Sequence, residues 1–135
     1  MKGEIPMKLN PNCVRAVLLE LEKLPYQESA TITELSTVLS DYSEDEISYT
    51  CFKLSEANYI DISIIKSINA PGPVIRSIND ITYYGHEFLN NIHSDTVWND
   101  VKAVGSKIGA TSISAFTQIA TGVVTTLIQK QLGLQ

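Results

Sequence analysis

Between positions 43 and 60 the spacing of apolar residues changes from helical to alternating with almost no chain in between. Ile47, Cys51 and Leu54 fall on one helix face, with Ala57 close beside it. Ser43 is a good N-cap, and Glu46 three residues on gives the spacing of a capping box. Asn58 stands where the chain must leave the helix through a left-handed conformation, which Asn tolerates better than other residues carrying a side chain. From Tyr59 the period is two: Ile60, Ile62 and Ile64 alternate with Asp61 and Ser63, as in a half-buried strand. A helix that feeds a strand this directly restricts where the neighbouring elements can lie.

Upstream, Asn10-Pro11 is an N-cap followed by proline at the first helical position. Val14, Val17, Leu18, Leu21 and Leu24 then make one apolar stripe, which Pro25 ends. Residues 26–30 are a polar connection, and an extended piece at 30–32 is placed to pair with a later strand. A second helix starts at Thr31 or Thr33; Thr31 and Glu34 have capping-box spacing, and Leu35, Val38 and Leu39 form its buried side. Ser40-Asp41-Tyr42 turns into the helix already described, and two short helices joined this way form a helix-turn-helix unit. Downstream, the turn-rich residues 69–73 cannot continue a central strand, and 74–78 return as its partner. Thr82 caps a fourth helix that buries Phe88, Leu89 and Ile92. The fold class expected is therefore mainly α with a small β-hairpin wing: a winged helix-turn-helix domain over 8–93, after a flexible lead-in at 1–7 and before a helical extension at 94–135.

That extension has two phases. Ser94 or Asp95 caps a segment with Val97, Val101, Val104 and Ile108 on one side, weakened by Gly105 and Gly109 at about 1 kcal/mol each. Ile113, Phe116, Ala120, Val123 and Leu127 follow at heptad-like spacing, widened by Ile119 and Val124, and are the expected oligomerisation seam. No charge lies between Lys107 and Lys130, and residues 108–129 as one helix would rise about 33 Å, enough to cross a bilayer. The many Thr, Ser and Gln side chains in that stretch argue against insertion, and Gly105-x-x-x-Gly109 is a weak close-packing signal. The tail is expected to self-associate or dock on its own domain, with membrane association through 108–129 as the alternative.

Charge narrows the function. The formal net charge is −5, and residues 8–93 carry six Lys/Arg against twelve Asp/Glu. Such a balance argues against a non-specific nucleic-acid binder. The third helix opens on Glu44-Asp45-Glu46, which repels phosphate, whereas a DNA-reading third helix places its first residues against the bases. Its exposed side offers Ser48, Tyr49, Phe52, Lys53 and Glu56, and the hairpin offers Lys66 and Arg76 as candidate phosphate contacts. A specific DNA binder typically neutralises about 6–10 phosphates, so these cations are too few. Tyr49 and Phe52 beside acids suit a protein-binding surface; the competing reading packs Phe52 against the tail or the first helix.

Reactive chemistry is not signalled. His86-Glu87 begins like a zinc-protease helix, but Asn90 stands where the second histidine belongs. His86, Asn90 and His93 share a helix face better suited to a structural or solvated role. No Cys/His cluster has zinc spacing, and there is no phosphate-binding glycine loop or G-x-S-x-G elbow. Asp41, Glu44, Asp45 and Glu46 lack the spacing of a calcium loop and complement a helix dipole instead. The expectation is no catalytic residue, cofactor or metal, and hence no enzyme. Cys13 and Cys51 look inward as buried thiols in a reducing, cytoplasmic setting, and the N-terminus has no apolar signal segment.

Lys8-Leu9-Asn10-Pro11, Tyr42-Ser43-Glu44-Asp45-Glu46-Ile47, and Gly85-His86-Glu87-Phe88-Leu89 through Asp95-Thr96-Val97-Trp98 resemble a family of small bacterial and prophage proteins, the domain of unknown function DUF 2513. The resemblance covers nearly the whole chain. It implies a winged helix with a helical C-terminal extension and an association with phages and mobile elements, and it carries no catalytic residues. Asn58 departs from the glycine expected there. The function expected is a non-enzymatic winged-helix adaptor, homo-oligomeric through its tail and engaging an unidentified protein partner. The alternatives are a DNA-binding regulator dimerised by the tail, and a membrane-active effector whose tail inserts.

Overall fold

The computed structural model describes residues 5–66 and 68–134. Among them run α1 (Pro11–Glu22), α2 (Ile32–Val38), α3 (Glu44–Glu56), β1 (Ile60–Lys66), β2 (Pro73–Ile81), α4 (Tyr83–Ile92), α5 (Asp95–Ile108) and α6 (Ile113–Gln131). The protein is thus mainly helical, with one two-stranded antiparallel sheet among the described residues.

Local chemistry sets most boundaries. Asn10, Thr31, Ser43, Thr82, Ser94 and Ser112 each cap a helix by accepting a backbone N–H from its first turn. Thr31 and Glu34 close a full capping box. Ser43 and Glu46 close only half of one, because the Glu46 carboxylate turns away to accept from Asn10 Nδ2 at 3.0 Å. That bond ties the start of α3 to the start of α1. Asn58 has φ 65°, the left-handed exit that its position requires. The Ala30 segment pairs antiparallel with Ile78, extending the hairpin on one side by a single bridge.

β2 runs on to Ile81, past the expected end at 78, because two register shifts keep both strands paired: Ile62 faces Ile78, and Ile64 faces Ile75. α2 stops at Val38, which is left exposed rather than buried, since Leu39 leaves the helical region at ψ 62°.

Larger departures lie beyond residue 93. The stretch 108–129, which would span a bilayer only as one continuous helix, is interrupted. Gly109 takes φ 70° as the C-cap of α5, and Ser112 starts α6 afresh. No helix among the described residues is long and apolar enough to cross a membrane. α6 folds back on α5, and the α5 face turned inward is Trp98, Val101 and Gly105. Val104 and Ile108, expected on the inner side, are 40% and 66% exposed. Their place is taken because Phe116 needs the room that Gly105 leaves. Trp98, Val101, Ile113, Phe116 and Ala120 belong to the same core as Val17, Leu18, Ile47, Leu54, Ile78 and Leu89. The expected boundary at 93/94 therefore divides residues that share one core.

Candidate functional site

α3 presents two different sides. Ile47, Thr50, Cys51 and Leu54 face the core, where Thr50 Oγ1 donates to Cys13 Sγ at 3.4 Å. Burial pushes the Cys13 thiol up to about 11 despite that bond, with Glu46 adding to the shift. Burial, with Cys13 beside it, raises Cys51 to about 12. Neither thiol ionises near neutrality, so neither serves as a nucleophile there.

The outer side is divided. Tyr49, Lys53 and Glu56 line a groove of about 640 Å³ with Met7, Leu9 and Ile113, where the residues before α1 and the α5–α6 turn approach α3. Lys53 Nζ donates to Glu56 Oε1 at 3.0 Å and lies 5.4 Å from the centre of the Tyr49 ring. The hydrogen bond to Glu56 holds the Lys53 pKa above its ordinary value. Both partners of this i,i+3 pair are exposed, so it holds the ammonium only weakly. Ser48 and Phe52 are half-buried and project from the other edge of the helix, and Phe52 packs against the core. The five residues expected to form one surface thus form a three-residue groove wall and a separate edge.

On the hairpin, Lys66 and Arg76 are both exposed. They share that end with Ile64, Ile65, Ile68 and Val74, which are also exposed. Among the described residues no group of three or more His, Cys, Asp or Glu could hold a metal ion.

The seam expected on the tail is split as well. Ile113, Phe116 and Ala120 are buried within their own chain, with the Phe116 ring 6.4 Å from that of Trp98. They are consumed by folding and cannot also meet a partner, because α6 packs on α4 and α5. Val123 is half-buried against the core, and Leu127 is 38% exposed. Beyond it Ile128, Leu132 and Leu134 are exposed.

A family model described as "Hypothetical protein (DUF2513)" matches residues 8–111. The chain belongs to this family. An uncharacterised protein of Haemophilus influenzae is 30% identical to the DUF2513 chain over 123 residues, covering 90% of this chain and 99% of that protein. No solved structure matches. The matched span includes the groove residues of α3 and the whole hairpin, and it ends before α6 begins.

Several residues that organise the DUF2513 chain carry no signal in its sequence. Arg15 donates from Nε to the Ile92 carbonyl at 2.9 Å, and from Nη2 to the His93 carbonyl at 2.7 Å and to Asp95 Oδ1 at 2.9 Å. Its guanidinium carbon lies 5.7 Å from the Trp98 ring centre. Trp98 Nε1 donates to Asn12 Oδ1 at 3.3 Å, and the Tyr59 hydroxyl pairs with Thr117 Oγ1 at 2.7 Å. These bonds join α1 and the chain after α3 to the last two helices. An arginine beside an apolar stripe says nothing of a partner nearly eighty residues away. His93 Nε2, by contrast, meets Glu22 at 3.0 Å in an exposed pair.

Proposed function

We propose that this chain is a non-enzymatic winged-helix binding protein of a phage or mobile element, which joins copies of itself through the distal half of α6 and receives a protein partner beside α3. Three helices followed by a hairpin, with Ala30 bridged to its second strand, support the winged-helix reading of the body. The observation that carries the functional reading is the uneven burial of α6. Its buried residues are Ile113, Phe116 and Ala120, all in its first half, while Leu127 and Ile128 leave apolar surface in water further along. The second half continues the seam by which the first half docks, without a charge before Lys130. An uncharged continuation of a self-docking seam fits the same surface on another copy.

The groove beside α3 takes an apolar side chain, anchored on Met7, Leu9 and the Tyr49 ring. A DNA-binding role draws less support, since the first turn of α3 is acidic and residues 8–93 carry only six Lys/Arg. Size-exclusion chromatography with light scattering tests the self-association. The intact chain should elute above monomer mass and Leu127→Lys should return it to the monomer. A monomeric intact chain at all concentrations would dismiss the reading.

A further inference from the structure

We propose that the free end of the β1–β2 hairpin is an insertion element for the interface of an anionic lipid bilayer. Charge reverses along the ribbon. At its base Asp61 faces Asp80 across the strands, and between those two positions the sequence holds no acid, only Lys66 and Arg76. Both cations are exposed. In a chain of net charge −5, this is a segment that an anionic surface attracts while the body is repelled.

Apolar side chains accompany those cations at the same end. Ile68 is fully exposed at 101%, and Ile65 and Val74, cross-strand partners, are 48% and 43% exposed. Cross-strand partners share a face of the ribbon, so these two present a single apolar surface. Pro71 and Pro73 bring no backbone N–H, which lowers the number of donors to be satisfied outside water. A Cβ on Gly72 would meet nothing within 4 Å, so the chain is open at that position.

The shape chooses among partners. A stable protein interface takes about 800 Å² from each side, more than a few side chains on the end of a two-stranded ribbon supply. Nucleic acid asks for more cations than two and has no use for a fully exposed isoleucine in contact with phosphate. A lipid interface accepts both features together, with apolar side chains among the acyl chains and cations at the headgroups. The hairpin end is separate from the α6 face, so either element can fail its test alone.

The full chain should be sedimented with vesicles of phosphatidylcholine alone, and with vesicles of phosphatidylcholine mixed equally with phosphatidylglycerol. Binding is expected to the anionic vesicles only. Ile68→Ser should weaken it by about tenfold or more, and Lys66→Gln or Arg76→Gln by about fivefold each. Leu127→Lys should keep the anionic selectivity. Ile68→Trp supplies a second readout, with emission moving to the blue on anionic vesicles and unchanged on neutral ones. No sedimentation with anionic vesicles overturns the proposal, as does binding that ignores Ile68→Ser or is lost only in Leu127→Lys. Retardation of duplex DNA that depends on Lys66 and Arg76, without vesicle binding, would assign the hairpin to nucleic acid and overturn it too.

Discussion

The Phe116 ring fills the notch beside Gly105: a Cβ on Gly105 would stand 2.7 Å from Phe116 Cε1. The ring is buried against Trp98 and cannot swing aside as an exposed side chain would. Gly105→Ala gains about 1 kcal/mol of helix propensity, but overpacking costs about 1–3 kcal/mol. The net effect should be destabilising, and Gly105→Val more so. Phe116→Leu vacates the ring position, so Gly105→Ala in that background should become neutral or stabilising. A double-mutant cycle by urea unfolding measures this coupling, and simple additivity would refute the packing.

Arg15 should matter far more than the carboxylate it meets. Its side chain is 15% exposed and satisfies two carbonyls at the end of α4, whereas Asp95 is 90% exposed. Arg15→Met leaves those carbonyls without their donor and should cost about 2–3 kcal/mol. Arg15→Lys keeps the charge but loses the fork, and should recover only part of that. Asp95→Asn should cost under about 1 kcal/mol, since an exposed ion pair contributes little. Equal losses at both positions would contradict this ranking.

Phe116 against Gly105 and Arg15 on the α4 carbonyls are both tertiary contacts, which no local pattern announces. Asn58 and Thr82 could be assigned from sequence, and the second helix start narrowed to Thr31 or Thr33, because a cap or a left-handed exit is decided by residues three or four positions away. The period-two run from Ile60 announced β1 for the same reason. The inner face of α5 could not be read that way. Valine spacing favoured Val104 and Ile108, but Phe116 selected Gly105, and that choice depends on how α6 returns across α5. The groove has the same character: Tyr49, Lys53 and Glu56 were visible as an exposed helix side, while Leu9 and Ile113 arrive through tertiary packing. Glu46 too satisfied a local pattern and then bonded to Asn10 instead.

Alkaline pH should weaken the fold through its two thiols. An unshifted thiol ionises at 9.0, but Cys13 and Cys51 stay protonated to about 11 and about 12 because burial opposes the thiolate. A raised pKa on an acid means that the neutral form is favoured by folding. The stability it confers is complete below pH 9 and is lost as pH climbs from 9 towards 11 for Cys13 and towards 12 for Cys51, by at most about 1.4 kcal/mol per pH unit and thiol. Cys51→Ala should flatten that part of the stability curve. At about pH 8 neither thiol should react with a disulfide reagent until the chain unfolds. Rapid labelling of the native protein would contradict their burial.

The two halves of α6 should respond oppositely to the same kind of substitution. Ala120 is 0% exposed, so Ala120→Asp places an unpaired charge in the core and should cost about 4 kcal/mol or more, lowering the melting temperature at every protein concentration. Leu127 is 38% exposed, and Leu127→Lys can carry its ammonium into water at under about 1 kcal/mol to the single chain. Association adds a separate effect, because a fold linked to self-association melts higher as concentration rises. The intact chain should show that dependence, and Leu127→Lys should lose it while melting near the dilute intact protein. If Leu127→Lys instead melts as low as Ala120→Asp, then the distal half of α6 is as much a part of the single-chain core as the proximal half.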